Sequence, residues 1–136
     1  MTATASKIFV NLPVKDLERS KSFFGKLGYS FNPRFTDETA ACMVISDSIY
    51  AMLLTEAKFK QFTPKTIADA STTTEVLVAL SMDSKDHVNQ MMDAAIAAGA
   101  TEVRDPEDHG FMYGRAFNDP DGHIWEIFWM DPGAAQ

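Results

Sequence analysis

Several features are scarce in this chain of 136 residues, beginning with cysteine. The single Cys42 excludes an internal disulfide and a cysteine-based zinc site. No stretch approaches the roughly 20 apolar residues of a membrane span, and the first seven residues lack the apolar core of a secretory signal. Only 12 Lys and Arg stand against 19 Asp and Glu, so the net charge is −7 and phosphate backbones are repelled. We therefore expect a cytoplasmic protein that binds neither nucleic acid nor membranes.

The chain has ample material for a core, because 46% of its residues are hydrophobic, and its length fits one domain, 1–136. Hydrophobic periodicity predicts an α+β fold. The pattern predicts strands at Ile8–Leu12 (ended by Pro13), Tyr29–Phe35, Ala40–Ser46, Ile49–Thr55, Val76–Leu80, Thr101–Arg104, Met112–Asn118 and His123–Met130. Two helices are predicted, one over 17–27 after the N-cap Asp16 and one over 85–98 after the N-cap Ser84.

The second half of the sequence repeats the first. A shift of 68 residues places Phe9 on Leu77 and the cap Asp16 on the cap Ser84. Each half then reads strand, helix and three strands, over 6–56 and 74–131, with a connection over 57–73. A module of that size cannot bury both its helix and its sheet, so we expect the two modules to pair. Two unrelated αβ pieces in one domain are the alternative.

Glu126 interrupts the apolar run of the last predicted strand. Strand alternation places it on one face with Phe128, and Trp125 and Trp129 on the other. We assign the tryptophan face to packing under the helices, so that Glu126 points to the concave face. A carboxylate there needs a cation, a hydrogen-bond donor or water. Glu126 is therefore a candidate metal ligand, acid/base group or ligand anchor, or else the ion-pair partner of an arginine such as Arg115.

Two motifs carry a resemblance to a known family. These are Leu12 to Ser20 (LPVKDLERS) followed by Phe23-Phe24, and Asp119 to His123 (DPDGH) followed by Glu126. Together with the repeated layout, they make the chain similar to the vicinal oxygen chelate superfamily, which includes glyoxalase I, extradiol dioxygenases, and fosfomycin- and bleomycin-resistance proteins. The resemblance covers nearly the whole chain. It implies two paired βαβββ modules that form a curved mixed-sheet cup.

The resemblance also locates the positions that hold a metal in metal-using members. They fall on Phe9, about Leu53, Leu77 and Glu126. Three of these side chains cannot ligate a metal, and one carboxylate with water is too little for tight binding. We therefore expect no metal cofactor, although a divalent metal on Glu126 with unexpected ligands is not excluded.

Metal-free members of the superfamily bind bulky or aromatic molecules in the same cup, which implies a small-molecule binder. Phe9, Leu53, Leu77 and Phe128 would supply apolar surface, and Asn11 and Glu126 polar contacts. Phe9 and Leu77 could instead be core residues that fill the cup, which would suit a non-catalytic interaction module. A third interpretation is a metal-dependent lyase or dioxygenase-type enzyme that uses Glu126 as its catalytic group.

The segment from Asp108 to Arg115 (DHGFMYGR) adds three polar candidates. His109 could act as a base or donor, and Arg115 could hold an anionic group. Tyr113 and Arg115 share one face if the segment is a strand, but alternation does not reveal whether that face lines the cup. All three remain candidate ligand-binding residues, with a loop of satisfied polar groups as the alternative. The abundant methionines and aromatics are compatible with a homodimer.

Overall fold

The computed structural model describes residues 3–135, and the chain divides into two units, Met1–Ile67 and Ala68–Gln136. The boundary falls inside the predicted connection over 57–73. Each unit contains one mixed sheet and one long helix, so the predicted α+β class with mixed sheets is confirmed. Within the described residues, none of the helices has both the length and the apolar character needed to cross a membrane.

The first unit has the predicted βαβββ order and ends in a short helical turn. Its sheet runs β1-β4-β3-β2, with β1 parallel to β4 and the other neighbours antiparallel. Its elements are β1 (Ile8–Val14), α1 (Leu17–Lys26), β2 (Ser30–Phe31), β3 (Ala40–Val44), β4 (Ile49–Thr55) and α2 (Glu56–Phe59).

The second unit repeats this order with one extra short strand. Its sheet runs β5-β9-β8-β6, with β5 parallel to β9, and β7 pairs with the remaining part of β8. Its elements are β5 (Leu77–Ser81), α3 (Lys85–Ala97), β6 (Thr101–Glu102), β7 (Glu107–Asp108), β8 (Met112–Asn118) and β9 (Ile124–Met130).

Both long helices begin where the sequence predicts. The side chain of Asp16 accepts a hydrogen bond from the backbone N–H of Arg19 (3.1 Å), and Ser84 accepts one from His87 (3.0 Å). These caps satisfy donors that the first turn of a helix leaves without intrahelical partners. The chain then leaves α1 through Gly28, whose φ of +104° favours glycine.

Several strand predictions are wrong in part; the strands predicted over Ala40–Ser46 and Thr101–Arg104, for example, end two residues earlier, at Val44 and Glu102. Pro13 does not end β1 but lies inside it, which is possible because β1 is an edge strand and the missing N–H of proline removes no ladder hydrogen bond there. The strand predicted over Tyr29–Phe35 shrinks to Ser30–Phe31. Asn32 then accepts a hydrogen bond from the N–H of Arg34 (3.0 Å) and begins a 3₁₀ turn.

The turn between β8 and β9 is held by a buried carboxylate. Asp119 accepts hydrogen bonds from the N–H groups of Asp121 (2.9 Å) and His123 (3.0 Å) and from the indole N–H of Trp125 (3.0 Å). Burial raises the pKa of Asp119, against the effect of His123 and these donors. Gly122 follows with a φ of +93°, and a Cβ there would lie 2.8 Å from the carbonyl oxygen of Ala70.

Each sheet has a helix-side face and an opposite face, which we call the open face. The helix-side face of the second sheet carries Trp125 and Ile127, which are 1% exposed. Strand alternation and register assign the remaining side chains. The open face includes Phe9, Asn11, Tyr50 and Met52 in the first unit and Leu77, Ala79, Ser81, Gly114, Ala116, Ile124, Glu126 and Phe128 in the second.

Candidate functional site

Glu126 lies on the open face of the second sheet, as predicted, between two alanines. The register places Ala79 of β5 on one side of it and Ala116 of β8 on the other. Two residues further along β9, Phe128 is flanked by Ser81 and Gly114 in the same way. The small neighbours leave the glutamate and the phenylalanine as the prominent side chains of this part of the sheet.

Arg104 is the cation that pairs with Glu126. Its Nη2 donates to Glu126 Oε2 at 3.1 Å, and its Nε donates to Glu107 Oε1 at 2.8 Å. These contacts raise the pKa of Arg104, with the hydrogen bond to Glu107 as the main cause, and lower the pKa of Glu107. The sequence analysis missed Arg104, because it precedes a short strand that the apolar pattern does not mark.

Glu107 reaches the open face from β7. It is opposite Gly114 of β8, which in turn is opposite Phe128. The imidazole of His109 lies nearby, with its Nε2 atom 3.8 Å from Glu107 Oε2, and its ring lies 6.3 Å from that of Phe111. The structure therefore brings the predicted residue His109 to the edge of a cluster formed by Arg104, Glu107 and Glu126, at the tip of the β7–β8 hairpin.

Tyr113 and Arg115 lie on the other face of β8. The Tyr113 hydroxyl donates to Asn89 Oδ1 of α3 at 2.8 Å, and Arg115 Nη1 donates to the same oxygen at 2.9 Å. Arg115 also forms a two-point ion pair with Glu102 (2.9 and 3.0 Å), which raises the pKa of the guanidinium. The alternative interpretation of Glu126 as the ion-pair partner of an arginine is therefore met by Arg104 and not by Arg115. Tyr113 and Arg115 connect β8 to α3 and do not line the open face.

The first unit presents an aromatic pair on its open face. The rings of Phe9 and Tyr50 are stacked with their centroids 4.7 Å apart, and Phe9 is 48% exposed. Asn11 is also exposed and donates to the carbonyl oxygen of Phe9 at 3.3 Å. In the second unit, Leu77 is 53% exposed, so neither Phe9 nor Leu77 is a core residue.

Leu53 is fully buried on the helix-side face, with 0% exposure. Asn11 is opposite Met52 in the first sheet, and Ala79 is opposite Glu126 in the second. The 68-residue shift places Asn11 on Ala79, so the strand partners of these two residues are also equivalent. Met52 therefore corresponds to Glu126. A displacement by one residue along a strand moves a side chain to the other face. The open-face position that the resemblance implies near Leu53 is therefore occupied by Met52.

The residues at the four implied metal positions do not fit a divalent metal site. Phe9 and Leu77 have no donor atom, and a thioether such as that of Met52 suits soft ions rather than Mg²⁺, Mn²⁺ or Zn²⁺. Glu126 is engaged by Arg104. Over residues 3–135, no group of three or more His, Cys, Asp or Glu side chains is placed to hold a metal ion.

Comparison with protein families gives a match in the first unit. Residues 7–46 match the family model described as bleomycin resistance protein-like N-terminal. This stretch covers β1, α1, β2 and β3, and therefore includes the first of the two motifs identified in the sequence. No curated protein matches the chain with significant similarity.

Solved structures resemble the chain over nearly its full length. A hypothetical protein from S. aureus is 24% identical, with a TM-score of 0.78 over 93% of this chain and 95% of that one. A glyoxalase/bleomycin resistance protein/dioxygenase family enzyme from Burkholderia phytofirmans is 18% identical, with a TM-score of 0.74 over 90% and 96%. A fosfomycin resistance protein from Mesorhizobium loti is 15% identical, with a TM-score of 0.69 over 99% and 98%.

At these identities the structural matches establish the fold and leave the activity open. The resemblance found in the sequence agrees with both comparisons and is confirmed. The chain thus has the fold of these glyoxalase/bleomycin resistance/dioxygenase proteins, and its residues 7–46 are similar to the bleomycin resistance protein-like N-terminal family.

Proposed function

We propose that this protein binds a small organic molecule, without a metal ion, on the open face of its second sheet. The ligand would pack an aromatic or other apolar group against Phe128 and Leu77 and place a polar group at Glu126 and Arg104. Exposed apolar side chains beside a few convergent polar groups are the usual composition of a small-molecule site.

One observation carries this proposal: Glu126 is paired with an arginine instead of lying among further metal ligands. The ion pair with Arg104 leaves the second carboxylate oxygen of Glu126, and the remaining N–H groups of Arg104, for a ligand to meet. The glutamate side chain is 27% exposed and the arginine side chain 41%, so both are within reach of a bound molecule. Glyoxalase- and dioxygenase-type reactions, which use a metal to polarise oxygen atoms, are less well served by this arrangement.

The proposal can be tested with protein purified without chelators. A thermal-shift screen of aromatic antibiotics, catechols and thiol conjugates should find compounds that raise the melting temperature, because a ligand that binds only the folded state stabilises it by mass action. Calorimetry on a compound found in this way should give the same affinity with and without EDTA. Elemental analysis should find no stoichiometric divalent metal.

Two matched variants locate the site. Phe128→Ala removes an aromatic side chain from the open face and should weaken binding roughly tenfold to a hundredfold, since burying such a side chain contributes about 1.5–3 kcal/mol. Phe62→Ala, at a position that is 69% exposed outside both sheets, should leave the affinity unchanged. Stoichiometric iron, nickel, zinc or manganese that disappears in Glu126→Ala would refute the proposal and favour a metal-dependent lyase or dioxygenase.

We also propose that the protein is a cytoplasmic homodimer. Large apolar side chains are exposed on or beside the edge strands β1 and β5, at Ile8, Phe9, Val76 and Leu77. Contact with a second copy would bury such residues. Light scattering of the purified protein measures the molar mass directly, and a mass of one chain at micromolar concentration would rule out the dimer.

A further inference from the structure

Arg104 contacts two acids of the open face at once, Glu107 and Glu126. Its guanidinium donates through Nε to Glu107 and through Nη2 to Glu126, so that one cation bridges two carboxylates from different strands. His109 Nε2 lies 3.8 Å from the second oxygen of Glu107. Two carboxylates and an imidazole are common ligands of divalent metals, and here the guanidinium engages both carboxylates.

We propose that Arg104 is the residue that excludes divalent cations from Glu126 and so makes the open face metal-independent. This inference rests on the proposed function and gives a cause for it. The missing ligands at Phe9, Met52 and Leu77 account for the absence of a site at the four implied positions. Arg104 adds a second obstacle, because it engages the two acids, Glu107 and Glu126, that a cation on this part of the open face would need.

The charges support this role. Glu107 and Glu126 carry −2 together, and Arg104 brings the sum to −1, so the attraction for a divalent cation falls when the arginine is in place. A divalent ion bound by Glu126 would also lie close to the guanidinium charge. Hard cations such as Mn²⁺ bind through carboxylate oxygens, and the oxygen of each glutamate that Arg104 holds is unavailable as long as the ion pairs persist.

The experiment measures Mn²⁺ binding to the full chain by calorimetry. Wild type should bind Mn²⁺ weakly, and Arg104→Met should bind it with a dissociation constant lower by about tenfold or more, because two partly exposed ion pairs no longer compete. Arg104→Lys retains the positive charge and should stay near the wild-type value. In the double variant Arg104→Met/Glu126→Gln, the gain should be lost, which separates a role at Glu126 from a general change in structure.

Arg34→Met serves as the matched control, because Arg34 is a surface arginine of the first unit whose guanidinium lies 5.9 Å from the ring of Phe35. It should bind Mn²⁺ like wild type, and circular dichroism should show all variants folded. If folded Arg104→Met gains no affinity, the inference is refuted while the proposed function stands. If wild type already binds one Mn²⁺ tightly and loses it in Glu126→Gln, both fail.

Discussion

Replacing Gly122 by alanine tests how closely the β8–β9 turn packs on the preceding segment. The new Cβ would lie 2.8 Å from the Ala70 carbonyl oxygen and 3.0 Å from Ser71 Cα, which are backbone atoms. The backbone there cannot easily withdraw, because Asp69 Oδ1 accepts hydrogen bonds from both the N–H (3.0 Å) and the hydroxyl (2.6 Å) of Ser71. We therefore expect both a conformational and a steric cost.

The expected loss of stability in Gly122→Ala is the sum of the conformational cost and the steric cost. An alanine with positive φ costs about 1–2 kcal/mol, and overpacking against a fixed neighbour costs about 1–3 kcal/mol. Together they predict a loss of about 2–5 kcal/mol in the free energy of unfolding. For a protein of this size, that corresponds to a melting temperature lower by roughly 8–20 °C. Urea denaturation and thermal unfolding followed by circular dichroism measure both quantities.

Alanine substitutions at two other glycines serve as controls for the conformational and steric costs. Gly28 has a φ of +104° but nothing within 4 Å of its Cβ position, so Gly28→Ala reports the conformational cost alone. Gly25 lies inside α1 with open space around it, and Gly25→Ala should stabilise the protein by about 0.5–1 kcal/mol. If Gly122→Ala costs no more than Gly28→Ala, the close approach to Ala70 does not exist in solution.

Three further predictions follow from the faces, the buried turn and the first helix cap. Leu53→Asp should unfold the protein or lower its melting temperature severely, because it buries an unpaired charge, whereas Met52→Asp on the open face should be tolerated; similar effects of both would contradict the register. Because the pKa of Asp119 is raised in the folded state, its contribution to stability is fully present below its unfolded pKa and is lost as the pH rises through its folded pKa. Urea denaturation at a series of pH values between 3 and 7 should therefore show that the free energy of unfolding of wild type falls, with rising pH, relative to that of Asp119→Asn. A difference that does not change with pH would contradict this prediction. Asp16→Ala removes a helix cap and should cost about 1 kcal/mol in urea denaturation, and no loss would mean that the cap is not formed.

The elements that the sequence predicts well are those with strong local signals. The strands Ile49–Thr55 and Met112–Asn118 have the predicted bounds, and both long helices begin directly after the predicted caps. In these segments the local signals, which are the apolar periodicity and, for the helices, the cap and the terminating glycine, all indicate the same structure. Tertiary contacts therefore do not have to override a local conformational preference. Where the signal is weaker, as in the predicted strand over Tyr29–Phe35, a local hydrogen bond that Asn32 Oδ1 accepts from the backbone N–H of Arg34 decides the conformation instead.

The candidate site is predictable only in part. Alternation along β9 is enough to place Glu126 and Phe128 on one face, because the two tryptophans identify the buried side. The same rule could not orient Tyr113 and Arg115, since their face depends on contacts with Asn89 and Glu102, which lie on or beyond a helix 13 to 26 residues earlier in the chain. Arg104 lies outside any regular strand, and its partner Glu126 is 22 residues away.

The distribution of tryptophan gives the two units different optical signatures. Both indoles of the chain, Trp125 and Trp129, belong to β9 in the second unit, and the first unit has none. Trp125 is almost fully enclosed, and the ring of Trp129 lies 5.6 Å from the ammonium group of Lys85. Emission excited at the red edge of protein absorption therefore reports on one half of the molecule alone. Comparing its denaturation curve with that of backbone dichroism would reveal whether the halves melt in concert or in sequence.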